Sequence, residues 1–209
     1  MTKTNNRGCW TVLIGPDGVG KTSVAQGIFP KVADRFDSLR YHHWIAPWTQ
    51  PLRSDVPPGG GRFEPGPCRC GFFGNLISLA RLARNIVRAW LGYVLRIRPH
   101  LRRSRLVLGD RYLFNYLLDP QSVRYGAAPF WVRLALRLVP KPDVVISLVA
   151  DPEVIHARKD ELSVTEIADR LARARELRSL GFNLVEVSAD APLSAVIENA
   201  AAVILNSRA

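Results

Sequence analysis

The chain of 209 residues has the length of one compact domain, because domains usually contain about 100–200 residues. Hydrophobic residues make up 47% of the chain and charged residues 22%, a composition that excludes a disordered or low-complexity protein. Lysine and arginine outnumber aspartate and glutamate by 29 to 18, for a formal net charge of +11. Most of these cations are arginines, which suit phosphate and carboxylate, so nucleotides, nucleic acid and an anionic membrane surface are candidate partners.

Predicted strands and helices alternate along the sequence. Short apolar or β-branched runs predict strands at residues 10–14, 40–44, 106–108, 143–149 and 184–187. Apolar residues at helical spacing predict helices at residues 22–32, 75–98, 130–139, 164–180 and 192–205. Because such alternation forms βαβ units, the chain is predicted to be an α/β protein with a parallel five-stranded sheet between two helical layers. The stretch 47–74 is rich in proline and glycine and is predicted to be an irregular insertion in a single domain spanning 1–209.

A phosphate-binding loop follows the first predicted strand. Residues 15–22 read GPDGVGKT, which satisfies G-x-x-x-x-G-K-[ST] between a strand and a helix. Backbone N–H groups of such a loop surround nucleotide phosphates, and the helix N-terminus and the lysine add positive charge. The predicted nucleotide-binding residues are Gly15, Asp17, Gly18, Val19, Gly20, Lys21, Thr22 and Ser23, with Lys21 also catalytic and Thr22 a magnesium ligand. This loop predicts the three-layer fold of P-loop NTPases, with ATP and Mg²⁺ as cofactors.

A second candidate site residue lies at the end of the strand at 106–108. A carboxylate at the carboxyl end of a parallel strand beside the P-loop strand can hold magnesium, so Asp110 is the second predicted metal ligand. Arg111 directly follows it and would reach the phosphates in transfer. A simple Asp-Arg pair that caps the strand end is the alternative.

Three stretches give the chain a family resemblance. The loop GPDGVGKT after WTVLI, the stretch RLVLGDRY at 105–112, and PDVVISLVADPEV at 142–154 followed by Arg158 resemble thymidylate kinases and related nucleoside monophosphate kinases. The resemblance implies that Asp17 faces the sugar hydroxyl of the acceptor and that Arg111 holds the acceptor phosphate. It also implies a catalytic Arg158 on a mobile lid at 157–165, and adenine near residues 188–192.

The predicted acceptor side departs from the thymidylate kinase pattern. The segment after Tyr112 lacks the Ala-Tyr-Gln pattern, and no Arg-Glu-Pro-Gly segment follows the second strand. The predicted acceptor-binding residues are Asp17, Arg88, Arg111 and Tyr112. The first expected acceptor is a nucleoside monophosphate or a related small molecule. The alternative is a sugar or glycan hydroxyl, because kinase-like chains of this kind are also similar to proteins of surface-polysaccharide synthesis. A nucleotide-dependent switch module is a third hypothesis.

Other polar groups support weaker hypotheses. Cys68 and Cys70 with His42 and His43 supply four potential zinc ligands, but their spacing is unlike that of structural zinc sites, and free thiols in a loop are the simpler interpretation. Arg81, Arg84 and Arg88 recur at helical spacing and would face acceptor phosphate, anionic lipid or solvent.

The remaining expectations concern partners and compartment. The five tryptophans are scattered, so nucleic acid is not an expected partner. The polar start at 1–9 lacks an apolar leader, and arginines interrupt the apolar stretch 76–97, so we expect a cytoplasmic protein without a transmembrane segment. Peripheral membrane contact and a homodimer both stay open.

Overall fold

The computed structural model describes residues 7–58 and 71–207. Five parallel strands form one sheet in the order β2-β3-β1-β4-β5. Their bounds are β1 Cys9–Ile14, β2 Leu39–His43, β3 Leu106–Asp110, β4 Val144–Val149 and β5 Leu184–Ser188. The predicted parallel five-stranded sheet is therefore confirmed, and each predicted strand lies within two residues of the observed one.

Helices cover both faces of this sheet. Their bounds are α1 Lys21–Val32, α2 Phe72–Gly92, α3 Arg98–Leu101, α4 Asn115–Leu118, α5 Pro129–Leu138, α6 Pro152–Arg158, α7 Val164–Ser179 and α8 Leu193–Asn206. One core cluster packs residues of α2 and α5 against Trp10, Val12 and Ile14 of β1. The other packs α1 and α8 against the opposite side of that strand, where Cys9 and Leu13 lie. Alternate residues of β1 thus serve opposite faces, as expected for a pleated strand.

The helix predicted at 75–98 has different bounds in the structure. It begins earlier, at Phe72, and is followed by a π-helical turn at Tyr93–Ile97 and then by α3. Pro99 lies in the first turn of α3. Residues 75–98 are therefore helical throughout, as predicted, but the turn before Pro99, which has no N–H to donate, is π-helical and not α-helical.

The first part of the predicted insertion at 47–74 contacts the sheet. Tyr41 and Arg53 exchange two backbone hydrogen bonds, of 2.8 and 3.1 Å, in an isolated antiparallel bridge. The first part of the insertion therefore covers edge strand β2, and its last residues, Phe72–Gly74, belong to α2. Residues 59–70, with Cys68 and Cys70, lie outside the described ranges. Among the described residues, no helix combines the length and apolarity needed to cross a membrane.

Candidate active site

The P-loop connects β1 to α1 at the carboxyl edge of the sheet. Gly18 and Gly20 have φ values of 94° and 97°, which side chains with a Cβ rarely adopt. A Cβ built at Gly20 would meet no atom within 4 Å, so open space lies beside the loop. Gly20 precedes α1, and no side chain caps this helix start, so its first N–H groups are available to an anion.

Lys21 is folded back onto the loop that carries it. Its Nζ donates to the carbonyl oxygens of Gly15 and Pro16, at 2.9 and 2.8 Å, and to Asp17 Oδ1 at 3.2 Å. The side chain is only 8% exposed. Burial lowers the pKa of Lys21, and the carboxylate of Asp17 opposes that shift. The ammonium is thus held where phosphates would enter the loop.

Asp17 and Arg111 meet above the strand ends. Arg111 donates through its guanidinium to Asp17 Oδ1, which Lys21 also contacts. The backbone N–H of Arg111 donates to Leu13 O at 3.0 Å, and its φ of 66° directs the chain away from β3. Burial alone would raise the pKa of Asp17, but the two cations outweigh it and hold that pKa well below its usual range. Three predicted site residues are therefore in direct contact.

Asp110 is the last residue of β3 and has one carboxylate oxygen without a partner. Its Oδ2 accepts a hydrogen bond from Tyr41 Oη at 3.3 Å and lies 3.2 Å from His43 Nδ1. Its Oδ1 is buried with no hydrogen-bond partner among the described residues. Burial would raise the pKa of Asp110, but the hydrogen bond from His43 and the charge of Lys21 lower it. A buried, ionised and unpartnered oxygen is a fitting ligand for Mg²⁺. The second predicted ligand, Thr22, is half-buried in the first turn of α1, and Ser23 beside it is exposed.

A narrow cleft opens beside the Asp17–Arg111 pair. Arg170 of α7 and Asp119, which follows α4, form an ion pair of 3.0 Å at this cleft. Ser147 of β4 also lines it, and its buried hydroxyl has no hydrogen-bond partner in the described ranges. The sequence interpretation missed Asp119 and Ser147 as cleft residues, although Ser147 is the one polar residue inside the apolar run of β4. Polar groups thus converge next to the predicted acceptor hydroxyl site.

Comparisons with known proteins bear on the fold. The sequence matches no protein-family model and no curated protein sequence. The solved structure of thymidylate kinase from Ehrlichia chaffeensis matches with a TM-score of 0.57 and 14% identity, over 96% of this chain and 100% of that chain. Thymidylate kinase from Candida albicans matches with a TM-score of 0.58 and 17% identity, over 98% of this chain and 94% of that chain. The chain has the thymidylate kinase fold.

Two of the predicted acceptor residues lie away from the Asp17–Arg111 pair. Tyr112 is 1% exposed, and its hydroxyl donates to Pro140 O at 3.1 Å within the core. Its ring contacts those of Trp10 and Phe114 edge-on, so Tyr112 is part of the core, and its role in acceptor binding stays a prediction. Arg88 is half-exposed on α2 and lies outside the lining of the cleft.

The arginine stripe of α2 lies beside a buried polar pair. Asn85 Nδ2 donates to Tyr116 Oη at 2.7 Å. Burial raises the pKa of Tyr116, and the positive charges of the stripe (Arg81, Arg84 and Arg88) oppose that shift. The stripe therefore lies on the side of the molecule formed by α2 and α4.

The predicted lid is a short link between α6 and α7. Arg158 is the last residue of α6 and is exposed, and only residues 159–163 separate the two helices. A Cβ at Gly18 would lie 3.0 Å from Lys159 Cβ, so the link packs against the P-loop. Lys159, not Arg158, pairs with Glu161, at 2.9 Å. The capping box predicted from the spacing of Ser163 and Glu166 is confirmed at the start of α7.

The loop expected near adenine is tied to the start of α6. In the segment 188–192, Ser188 Oγ lies 3.2 Å from Asp190 Oδ2, and Asp190 Oδ1 accepts from the N–H of Asp151 at 3.3 Å. The fold holds this loop in place, while adenine binding there stays a prediction.

The zinc hypothesis loses one of its proposed ligands. His42 Nε2 accepts from Trp10 Nε1 at 3.3 Å, and His42 Nδ1 donates to Trp44 O at 3.1 Å. Both ring nitrogens are engaged in the core, so neither is available to a metal. Within the described ranges, no three His, Cys, Asp or Glu side chains form a metal-binding group.

Proposed function

We propose that this chain transfers the γ-phosphoryl group of ATP, in the presence of Mg²⁺, to a nucleoside monophosphate or a related small acceptor. The observation that carries the proposal is the cluster in which Asp17 contacts both Lys21 and Arg111. Phosphoryl transfer requires little covalent chemistry from the protein, and it depends on positioning and on stabilisation of charge. Lys21 and Arg111, which share the Asp17 carboxylate beside the P-loop, would supply positive charge in fixed positions.

The donor side is formed by the P-loop and the end of β3. The N–H groups of the loop and of the uncapped start of α1 would bind the phosphates of ATP, with Lys21 neutralising their charge. Thr22 Oγ1 and the free Oδ1 of Asp110 would hold Mg²⁺. Mg²⁺ supplies charge neutralisation on the phosphoryl oxygens. Tyr41 and His43 would fix the orientation of the Asp110 carboxylate through its other oxygen.

The acceptor side begins at the Asp17–Arg111 pair. Asp17 would accept a hydrogen bond from an acceptor hydroxyl, because its depressed pKa keeps it ionised at neutral pH. Arg111 would bind the acceptor phosphate, since its planar guanidinium has several donors and Asp17 uses only part of them. The exposed Arg158, at the end of α6 where the link begins, would complete the charge set when the lid closes.

A sugar or glycan hydroxyl is the second candidate acceptor. Asn115 and Ser147 line the cleft beside Asp17 and would suit hydroxyl groups. Arg111 and Arg170 line the same cleft, so it would also suit an anionic acceptor. A panel of acceptors distinguishes the two classes.

The test is acceptor-dependent ADP formation. The protein is incubated with ATP, Mg²⁺ and one member of a panel of nucleoside monophosphates and sugars, and ADP is measured with and without the acceptor. We expect Lys21→Ala to lower turnover about 10²-fold or more, because it removes a preorganised charge from the transferred group. The matched control is Lys31→Ala on the same helix, where the lysine forms an exposed ion pair with Glu198.

Unchanged turnover in Lys21→Ala would refute the P-loop assignment. ADP formation that no acceptor stimulates would instead favour the nucleotide-dependent switch. Stimulation by sugars but not by nucleoside monophosphates would select the second candidate.

A further inference from the structure

A series of three hydrogen bonds leads from the core to the carboxyl end of β3. Trp10 Nε1 donates to His42 Nε2 at 3.3 Å, and His42 Nδ1 donates to Trp44 O at 3.1 Å. The backbone N–H of Trp44 in turn donates to Asp110 O at 2.7 Å. The bond from the indole N–H, which can only donate, places the proton of the neutral imidazole on Nδ1. The series therefore ends on the residue proposed to bind Mg²⁺.

Trp44, the residue that follows β2, has a strained backbone. Its φ of 58° lies in the left-handed region, where bulky residues are rare. Such a conformation persists only where the surrounding structure imposes it, and it is most frequent at functional sites. The indole Nε1 is buried and has no hydrogen-bond partner among the described residues, so no polar contact of the side chain imposes it. The two backbone hydrogen bonds, from His42 and to Asp110, hold the residue instead.

The peptide group between Asp110 and Arg111 is held from both sides. Its C=O accepts from the N–H of Trp44 after β2, and its N–H donates to Leu13 O of β1 at 3.0 Å. This peptide joins the proposed metal ligand to the arginine proposed to bind the acceptor phosphate. Because Arg111 has a φ of 66°, any rotation of the peptide would redirect the side chains on both sides of it.

The ring of His42 also packs against the residue that precedes Asp110. A Cβ built at Gly109 would lie 2.8 and 2.9 Å from Cε1 and Nε2 of His42, too close for a carbon atom. The imidazole thus lies directly on the backbone of Gly109. His42 therefore contacts β3 just before Asp110 and reaches the carbonyl group of Asp110 through Trp44.

We infer that His42 is a positioning residue, which holds Trp44 in the left-handed conformation and thereby fixes the peptide after Asp110. This role rests on the proposed function in one respect, the assignment of Asp110 as a metal ligand. His42 acts through the backbone and is not a catalytic residue. Outer partners that orient a metal ligand typically contribute about 10–100-fold to metal affinity, so the loss of His42 should be measurable as weaker metal binding.

Binding of Mn²⁺ to the protein–nucleotide complex tests the inference. Mn²⁺ replaces Mg²⁺ because both prefer octahedral oxygen ligands, and electron paramagnetic resonance measures the free ion. The full-length protein is titrated with Mn²⁺ in the presence of a non-hydrolysable ATP analogue. We expect His42→Leu to weaken Mn²⁺ binding about tenfold or more. His42→Asn keeps an amide N–H close to the position of Nδ1 and should recover most of the affinity.

The order of these two variants separates positioning from a purely structural role. Leucine is apolar and nearly fills the buried site, whereas asparagine is smaller and places an amide group in the core. A purely structural role therefore predicts that His42→Asn is the more damaging change, and urea denaturation measures that order for stability. Positioning predicts the opposite order for Mn²⁺ affinity.

Two variants of Trp44 give a second test that leaves His42 intact. Trp44→Gly and Trp44→Ala both remove the indole, but only glycine adopts a φ near 58° without strain. We expect Trp44→Gly to bind Mn²⁺ more tightly, because alanine would relax toward extended backbone and withdraw its N–H from Asp110. The control is His100→Leu, at a half-buried histidine of α3 that precedes the start of β3, and it should bind Mn²⁺ like the parent.

The results that would overturn the inference differ from those that would overturn the proposed function. Equal Mn²⁺ affinity in His42→Leu and His42→Asn would refute the positioning role, and so would equal affinity in the two Trp44 variants. If His42→Leu does not fold, the Trp44 variants decide. A parent protein that binds no Mn²⁺ with the nucleotide would refute this role and the metal assignment together. A parent that shows both expected orders but forms no ADP with any acceptor would support the role and refute only the phosphotransferase.

Discussion

Acid should destabilise this protein through His42, which the fold buries in neutral form. The side chain is 2% exposed, accepts a hydrogen bond from Trp10 through Nε2 and donates one to Trp44 O through Nδ1. A proton on Nε2 would place that N–H against the N–H of Trp10 Nε1, with no acceptor between them. Burial is the main reason that the pKa of His42 falls from 6.5 to about 4, and the hydrogen bond to Trp44 offsets it only in part.

The sign and size of the effect follow from these two pKa values. Between pH 6.5 and about 4 the unfolded chain binds the proton and the folded protein does not, so stability falls as the pH falls. At about 1.4 kcal/mol per pKa unit, the full loss is about 3 kcal/mol, of which about 2.5 kcal/mol is reached at pH 4.5. His100 has its pKa lowered to about 4 as well, chiefly by burial, and adds a smaller loss of the same sign because it is partly exposed.

Urea denaturation between pH 7.5 and 4.5 measures this effect. His42→Gln can keep both hydrogen bonds, since its amide oxygen accepts and its nitrogen donates, but it carries no titrating proton. We expect His42→Gln to lose about 2.5 kcal/mol less than the parent over this range. His100→Gln serves as the control for the second histidine. If His42→Gln and the parent lose equal stability, the buried neutral imidazole is not the source of the acid sensitivity.

Three further predictions concern packing, capping and the lid. Gly92→Ala should destabilise the fold by about 1–3 kcal/mol in urea denaturation, because the added Cβ would overlap the backbone oxygen of Ala46. Unchanged stability would contradict this close packing. Ser163→Ala should lower the free energy of unfolding by about 1 kcal/mol, because it removes the capping box with Glu166. Ser163→Thr keeps a hydroxyl and should retain most of this stability. Equal losses in both variants would rule out the hydroxyl as the cause. Arg158→Ala should lower turnover clearly more than it weakens ATP binding, and a decrease in turnover of less than about threefold, well under 1 kcal/mol, would remove Arg158 from the catalytic set.

The sequence predicts those parts of the site that depend on residues close together in the chain. The P-loop needs only glycines, a lysine and a threonine at fixed spacing between a strand and a helix, and the structure has them in that context. Asp110 was predicted from its place at a strand end, and the parallel register pairs it with Leu13 of the P-loop strand. The resemblance gave Asp17 and Arg111 separate acceptor roles, but the contact between them was not predicted, because it joins residues far apart in the chain.

The parts that sequence reasoning missed depend on single backbone conformations and on strand register. Arg111 adopts a left-handed conformation, so the next residue, Tyr112, packs into the core, and no local pattern marks a non-glycine residue for this conformation. His43 reaches Asp110 because β2 pairs with β3 in a register that hydrophobic patterns do not specify. Helices α4 and α6 have four and seven residues, too few to show a helical period. The cytoplasmic compartment, the homodimer and the adenine loop stay predictions.

The bridge between Tyr41 and Arg53 also has a consequence for self-association. An exposed edge strand presents unpaired N–H and C=O groups that can recruit a strand from another molecule. Here the outer N–H and C=O of Tyr41 are both used by Arg53, at the middle of the five-residue strand β2. The free backbone on either side is then too short to template a new strand. The insertion thus protects the sheet from aggregation at the edge that also carries His43, next to Asp110, the carboxylate proposed to bind magnesium.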